Sequence, residues 1–546
     1  MDAKKSSNAS FVKMAAILAV AGILTRIIGF LYRLPLTNMI GDEGNGIYAA
    51  GYNVYNFFLI MSSAGLPTAI SRMIAEKAAI GQYRNVKKIF NYSMLVSAGI
   101  SLFLALIMAG GTFAFQRFCE IGGHTQRLYL WYSSIYCLYS LAPTVFIVGV
   151  MSVYRGYFQG LQTTVPTSVS QIIEQIFNAV FSVFLAWLWM KYGIEYGAAG
   201  GTAGTGVGAA AGLGVIFIYY LAGSKQRKRL LKEDTKEYDL ERGKDISINL
   251  IKISVPMIIG TAIFSMTNFV DMAMVESRLA AAGFDHDTVV KLYGQLNGKY
   301  VTITTMPVSI STAIAIAVIP SIAASVVRKE FNEVKSKLDT ALRVTMILSI
   351  PAAFGLGVLG TPILKMLFPR HAEGGSLITA GGLSIIFLAL SLILTGVLQG
   401  IGNLKAPALN SLWSALIKIP INYVLIAIPQ INIIGAIIST TACYFMCSVL
   451  NLISLKKETG VSPDYAGILV KPTIASVIMA VFCFLSYKLF YMILPSNTIA
   501  TLFAIVVAVL VYFIAMALIK GFRRADLNML PMGKKLIRIL EKYNRI

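Results

Sequence analysis

Apolar positions in this chain come in long blocks rather than at alternate positions. Phe11 to Leu34, Ile89 to Phe115, Ile378 to Gln399 and Thr498 to Ile519 are four of them. Each supplies the ~20 residues a helix needs to cross ~30 Å of hydrocarbon. None alternates polar with apolar as a membrane β-strand does. Backbone in lipid has to satisfy its own hydrogen bonds, so each block is expected to be a helix. The pattern predicts an all-α integral membrane protein of about fourteen spans, near 12–34, 47–71, 88–113, 128–151, 165–190, 197–222, 248–277, 292–325, 338–364, 376–400, 407–428, 431–455, 468–494 and 497–520. Pro307 and Pro351 interrupt the eighth and ninth, which is tolerated where neighbouring helices or water take up the freed carbonyls. Met1 to Ser10 is polar, and the apolar run after it is longer than a signal core and lacks a small-x-small cleavage site. The first span is therefore expected to be retained.

Charge orients these spans. Only 13% of the 546 residues are charged, about half the share of a soluble domain. The Lys and Arg residues gather in alternate connections: the N-terminus, Arg72 to Lys88, Lys225 to Lys244, Arg328 to Lys337, Lys456 with Lys457, and the tail from Lys520. Roughly thirty cations stand on that side against roughly ten on the other, which makes it the cytoplasmic side and places both termini there. A net charge of +22 then reflects topology and attraction to anionic membrane lipids, with no nucleic-acid partner implied. In the tail, Lys534, Lys535, Arg538 and Lys542 alternate with Leu536, Ile537, Ile539 and Leu540. That suits either an amphipathic helix on the inner leaflet or a solvated basic tail.

Metal and redox chemistry find little support. Four of the five cysteines fall in spans, Cys119 is expected in a loop, and His124, His286 and His371 lie in three separate loops. No zinc spacing results, and no cofactor is expected.

Short motifs recur between the halves. Gly156-Tyr-Phe-Gln-Gly160 returns as Gly396-Val-Leu-Gln-Gly400, 240 residues on, and Thr68-Ala-Ile70 returns as Thr312-Ala-Ile314, 244 residues on. A basic loop follows each of the latter, with Asn85-Val-Lys87 and then Asn332-Glu-Val-Lys335. The near-constant offset argues for a duplicated six-helix unit. An even helix count gives both copies one orientation, related by an axis along the membrane normal, with the substrate path between them. The expected layout is an N-lobe over 1–222, a linker over 223–247, a C-lobe over 248–455, two further spans within 456–520 and a basic tail over 521–546.

Charges inside spans are the candidate functional residues, because a central Arg costs ~3 kcal/mol on insertion scales and faces a cavity or a partner. Arg26 lies thirteen residues past Lys13, or ~20 Å into the membrane. Arg33 is two turns further on the same face, with Gly29 between them and Tyr32 adjacent. Two arginines on one face attract an anion, and their planar forks suit phosphate oxygens. The plainer alternatives are that Arg33 snorkels to the surface and that Arg26 pairs with Glu174 or Asp271. Lys299 in the eighth span either joins this cavity or snorkels. Asp271, with Asn268 close by, either holds Na⁺ or a proton or pairs with Lys418; Glu276 is a further acid in that span. Gly197 to Gly214 is rich in Gly and Ala but lacks Gly-Lys-Ser/Thr, so it is expected to serve close helix packing.

Thr25 to Arg33 (TRIIGFLYR), the loop Gly41 to Tyr48 (GDEGNGIY) and the paired Gly-x-x-Gln-Gly motifs resemble the polysaccharide exporters of the MOP superfamily, most of all the SpoVB/YtgP branch related to MurJ-type lipid II flippases. The resemblance covers nearly the whole chain. It implies a V-shaped cavity between two six-helix lobes, opening alternately to each side, and an undecaprenyl-diphosphate-linked sugar as cargo. It implies that Arg26, Arg33 and Lys299 bind the diphosphate, that Asp271 resembles a seventh-span Na⁺ ligand, and that the last two spans form a groove for the lipid tail. The second-span arginines of some relatives have no counterpart around Phe57 to Ile60.

The expected function is that of a flippase moving lipid II for peptidoglycan synthesis to the outer leaflet. It would work by alternating access, coupled to Na⁺, H⁺ or the membrane potential, alongside the cell-wall synthesis machinery. Teichoic-acid, capsule and spore-cortex intermediates share the same lipid diphosphate. A MATE-type cation antiporter is the first rival, and Arg26 and Arg33 argue against it. A membrane glycosyltransferase would have only Asp285 and Asp287 to work with, and no catalytic residue is expected. A sporulation or division scaffold would leave the cavity residues dispensable.

Overall fold

The computed structural model describes residues 2–126, 128–235, 237–328, 330–403, 405–528, 537–538 and 541–542. They form α1 (Asp2–Ser63), α2 (Leu66–Ala79), α3 (Tyr83–Gly122), α4 (Tyr129–Ser133), α5 (Ile135–Gly160), α6 (Val165–Trp189), α7 (Ile194–Ala222), α8 (Ser224–Glu233) and α9 (Gly243–Ala281). After these come α10 (His286–Gly294), a π-helical segment (Gln295–Val301), α11 (Thr302–Val327), α12 (Phe331–Leu367), α13 (Gly375–Gly400), α14 (Lys405–Leu425) and α15 (Ile434–Thr459). A second π-helical segment (Ala466–Val470) precedes α16 (Lys471–Ile493), α17 (Asn497–Leu518) and α18 (Arg524–Asn528). Among the described residues ten helices are long and apolar enough to cross a membrane, the kinked stretch Val20–Ala79 being counted as one. The chain is an all-helical, multi-pass membrane protein.

Two compact units divide the chain: residues 1–276 with 285–294, and residues 277–284 with 295–546. In the first, α1 turns at Gly41, whose φ of 67° and ψ of −170° only glycine adopts without strain. The turn divides α1 into two arms. Gly46 and Gly294 then admit α10 against α1. A Cβ on Gly46 would lie 2.3 Å from the Val290 carbonyl oxygen, and one on Gly294 would lie 1.7 Å from that of Asp42. The Asn53 amide donates to the Tyr293 hydroxyl at 2.8 Å across the same contact.

The two recurring motifs are one contact. A Cβ on Gly156 would stand 2.9 Å from the Pro67 carbonyl oxygen and the Ile70 Cβ, and one on Gly160 would stand 2.8 Å from the Ser71 carbonyl oxygen and the Ile74 Cβ. The Thr68-Ala-Ile70 segment of α2 therefore lies in the trough that two glycines open on α5. In the second unit α11 carries Thr312 to Ile314 and packs on α13, which carries Gly396 and Gly400, both buried.

The Gly-rich stretch packs as expected. Gly200, Gly204, Gly208 and Gly212 make one stripe of α7. Their Cβ positions would fall 2.4 Å from the Leu185 carbonyl oxygen, 2.2 Å from the Ser182 nitrogen, 2.5 Å from the Glu174 carbonyl oxygen and 3.0 Å from the Glu174 Cβ. Backbone meets backbone along α6, which is how membrane helices associate without a hydrophobic driving force.

Several boundaries depart from the sequence reading. α3 has 40 residues and is ~60 Å long at ~1.5 Å per residue, twice the hydrocarbon thickness. Its extension carries Cys119, which is buried in the helix rather than placed in a loop. α5 ends at Gly160 rather than near residue 151. α12 runs on through Pro351. Proline there leaves the carbonyl four residues back without its donor, and the Tyr512 hydroxyl supplies one to Ile347 O at 2.8 Å.

The linker 223–247 is not a free tether. After α8, Asp234 accepts the Arg84 N–H at 2.9 Å and the Tyr238 hydroxyl. Glu241 N–H donates to the Asn85 side chain at 3.0 Å, and the Lys88 ammonium donates to Glu241 O at 3.2 Å. The segment is strapped along the ends of α2 and α3. In the basic tail, Lys534, Lys535, Leu536, Ile539 and Leu540 lie outside the described residues.

Candidate functional site

The reversal at Gly41 lays the second half of α1 beside the first and brings Arg33 to a tyrosine column. Its guanidinium carbon sits 4.8 Å from the centre of the Tyr48 ring. Tyr48 stacks on Tyr52 at 5.7 Å, and Tyr52 meets Tyr55 at 5.5 Å. Tyr32, Tyr48 and Tyr55 are buried. A cation over an aromatic face gains ~0.5–2 kcal/mol, more as water is excluded. Arg33 is half-buried and packs against the first unit's own ring. Arg26, two turns earlier on the same face, is exposed. Between them Gly29 faces α6, where its Cβ would lie 3.2 Å from the Gln175 amide nitrogen.

The acids of the first unit are placed as follows. Glu174 accepts a hydrogen bond from Arg155 at 2.6 Å, and the same Arg155 nitrogen donates to the Ser170 hydroxyl at 3.1 Å. Glu174 therefore has a cation other than Arg26. Arg155 escaped the sequence reading because α5 was ended too early. The signal was available, since a carboxylate within a span implies a cation nearby. Glu276 is buried and accepts the Leu130 N–H at 3.0 Å, satisfying a donor that the start of α4 leaves unpaired. Asp271 is half-buried on α9, one helical turn before Val275 and next to buried Met272. Asp285 caps α10 by accepting both the N–H and the hydroxyl of Thr288, at 3.2 and 2.6 Å. Those bonds hold its carboxyl below the usual range, as for a cap and not a general acid.

Lys299 belongs to the second unit and lies in the first π-helical segment. Its side chain is 1% exposed, and its ammonium donates to Glu373 O at 2.9 Å. Lys418 is buried on α14, one turn from Asn422, which accepts the Ser439 hydroxyl at 2.5 Å. The second unit also holds an apolar cavity of about 420 Å³ among α12, α16 and α17, lined by Ile347, Pro351, Gly355, Met479, Ala508 and Tyr512. Among the described residues no cluster of three or more His, Cys, Asp or Glu is placed to hold a metal ion.

This arrangement offers cations in the membrane and no nucleophile–base pair among the residues named. Comparison with known proteins gives the family and the fold. Residues 11–326 match the family described as polysaccharide biosynthesis protein, and residues 298–424 match the MatE family. Stage V sporulation protein B of Bacillus subtilis (strain 168) is 27% identical over 542 residues, covering 97% of this chain and 99% of that protein. Lipid II flippase MurJ of the same organism is 25% identical over 487 residues, covering 87% of each. Among solved structures, lipid II flippase MurJ in an inward closed conformation superposes with a TM-score of 0.65 at 17% identity, covering 92% of this chain and 98% of that one. An inward-facing multidrug resistance MATE family transporter of the MOP superfamily gives 0.64 at 12% identity, covering 82% and 98%. At such identities the structures speak for the fold.

Proposed function

This chain belongs to the polysaccharide biosynthesis protein family, and from that premise we propose that it is a flippase for a diphosphate-linked lipid glycan, with lipid II for peptidoglycan synthesis as the cargo. The observation that carries the reading is the pair of arginines two turns apart on the first membrane helix, one of them fixed against Tyr48. A diphosphate is the anion that two guanidinium forks at that spacing accommodate. The family description supports a polysaccharide precursor, and the Bacillus relative named a lipid II flippase supports the specific cargo.

In this reading both termini lie in the cytoplasm, and the cargo moves from the inner to the outer leaflet by alternating access. Arg26 and Arg33 meet the diphosphate, while the isoprenoid tail stays in lipid. Lys299 contributes its charge only if it leaves the Glu373 carbonyl. Asp271 is assigned to ion coupling. The match of residues 298–424 to the MatE family favours one other reading, a cation antiporter. Its cargo would gain nothing from two arginines on the first helix.

Complementation separates the two. The chain is expressed in bacteria depleted of their own lipid II flippase, with Arg26→Ala, Arg33→Ala and Asp271→Asn variants at matched membrane levels. Rescue by the wild type and loss with Arg26→Ala are expected. A well-expressed wild type that fails to rescue would set lipid II aside and move another lipid-linked glycan, or a drug cation, to the front.

A further inference from the structure

A second charged pocket in the first unit has no part in the site above. It is a cavity of about 230 Å³ among α3, α5, α7 and α8. Exposed Lys87 and Lys228 and half-buried Arg227 supply its charge, and buried Phe90 and Tyr157 with half-buried Tyr220 supply its apolar wall. The wall is rigid. Phe90 stacks on Tyr220 at 4.9 Å and meets the edge of Tyr157 at 5.1 Å. Arg227 is fixed in advance, with its guanidinium carbon 3.7 Å from the Tyr220 ring centre and one N–H donated to the Tyr220 carbonyl. A cation ordered by the protein itself costs a ligand little to engage. Among the described residues that line the pocket there is no carboxylate to offset the three cations.

Its position selects the ligand. One turn back on α7, Phe217, Ile218 and Leu221 are 42%, 64% and 51% exposed, so the helix still faces hydrocarbon there. Lys225 and the rest of basic α8 follow at once. The pocket therefore sits where α7 leaves the bilayer, with cations outward and aromatic rings inward. That is the profile of a headgroup joined to an acyl chain.

We propose that this pocket binds the phosphodiester headgroup of an anionic glycerophospholipid, taken from the leaflet at the face of the basic loops. The phosphate bridges Lys87 of α3 to Arg227 and Lys228 of α8, and the glycerol and first methylenes lie on Phe90, Tyr157 and Tyr220. The bound lipid pins α8 to α3. The inference rests on the proposed orientation for the identity of the leaflet. It does not depend on the cargo, so failed transport leaves lipid retention readable.

The test is native mass spectrometry of the full-length protein released from nanodiscs of equal phosphatidylglycerol and phosphatidylcholine. Wild type is compared with Lys87→Gln/Lys228→Gln, with the triple variant that adds Arg227→Gln, and with a control triple Lys225→Gln/Arg229→Gln/Lys232→Gln that removes as much charge from α8 outside the pocket. The double variant touches only exposed side chains and keeps the Arg227–Tyr220 contact. Wild type and control are expected to retain one phosphatidylglycerol. Retention falls about tenfold or more in the double variant and about a hundredfold or more in the pocket triple, from the charge-assisted hydrogen bonds that only the pocket cations make to the phosphate. Equal loss in the control, equal retention of phosphatidylcholine, or displacement by glycerol 3-phosphate at matched concentration would each overturn the proposal. The last outcome would assign the pocket to soluble phosphate esters.

Discussion

Neutralising Asp526 is expected to release the chain that follows the last span. Arg343 of α12 and Asp526 of α18 have side chains 3% and 1% exposed. The Arg343 Nε donates to both carboxylate oxygens at 3.3 and 3.1 Å, and Nη2 donates to Oδ2 at 2.8 Å. The same guanidinium reaches Gly467 O at 2.7 Å and Gly521 O at 2.8 Å, while Asp526 accepts the Arg523 N–H at 3.0 Å. One side chain thus ties α12 to the π-helical segment before α16, to the turn after α17 and to α18. Removing one partner of a buried pair costs about 3–5 kcal/mol, because the other charge is left uncompensated. In Asp526→Asn the two carbonyl contacts survive and the amide keeps one acceptor oxygen. The lower end applies, about 3 kcal/mol, or roughly a hundredfold rise in the open population.

Limited trypsin digestion of the full-length protein in detergent reads that population. Arg523 and Arg524 are exposed cleavage sites beside α18, and cutting tracks local opening when reclosing is fast. Cleavage there should rise about a hundredfold, while cleavage in α8 stays constant as an internal control. In a cycle with Arg343→Met, the double variant should cost less than the two single variants together. Wild-type cleavage in Asp526→Asn, or strict additivity in the cycle, would refute the reasoning.

Three further outcomes follow from the geometry. Gly204→Val should reduce the folded yield and lower the unfolding temperature by fluorescence-detected size exclusion, at a cost of about 1–3 kcal/mol or more. Gly110→Val, whose Cβ would meet nothing within 4 Å, should cost about 1 kcal/mol or less; equal effects would remove the packing argument. Gly294→Val should unseat α10, so that a cysteine at Asn53 gains access to a water-soluble thiol reagent; unchanged labelling would contradict the contact read at Asp42. Arg155→Gln should lower the unfolding temperature, and Arg155→Gln/Glu174→Gln should recover part of the loss, as expected of a half-buried ion pair within a span. A double variant worse than the sum of the two would exclude that pairing.

Much of the fold was legible because a membrane imposes one strong rule: apolar blocks of sufficient length become helices. The Gly-x-x-Gln-Gly and Thr-Ala-Ile repeats predict a duplication, and in the first unit the Gly156–Ile70 approach explains why the two motifs travel together. Helix ends were less legible. Hydropathy marks where hydrocarbon stops, whereas α3 and α5 continue through polar residues as long as packing holds them. Arg155 was missed for that reason, since it lies beyond the expected end of its span near residue 151. At the candidate site, the Arg26–Arg33 stripe follows from helical spacing alone. The tyrosine column against Arg33 does not, because it depends on the reversal at Gly41. Lys299 shows the limit of reading charge from position. The sequence places a cation in the span, but only the fold shows its ammonium turned onto the Glu373 carbonyl.

The central claim is that this chain carries a lipid diphosphate past its first-helix arginines. Its most direct test is flipping of a fluorescent short-chain lipid II analogue in sealed proteoliposomes, followed by quenching from the outer face. The account predicts rapid loss of the protected fraction with wild-type protein, with Arg26→Ala and Arg33→Ala liposomes behaving like protein-free ones although the variants remain folded. Equal flipping by wild type and both variants, or none by well-folded wild type under an imposed Na⁺, H⁺ or potential gradient, would contradict it.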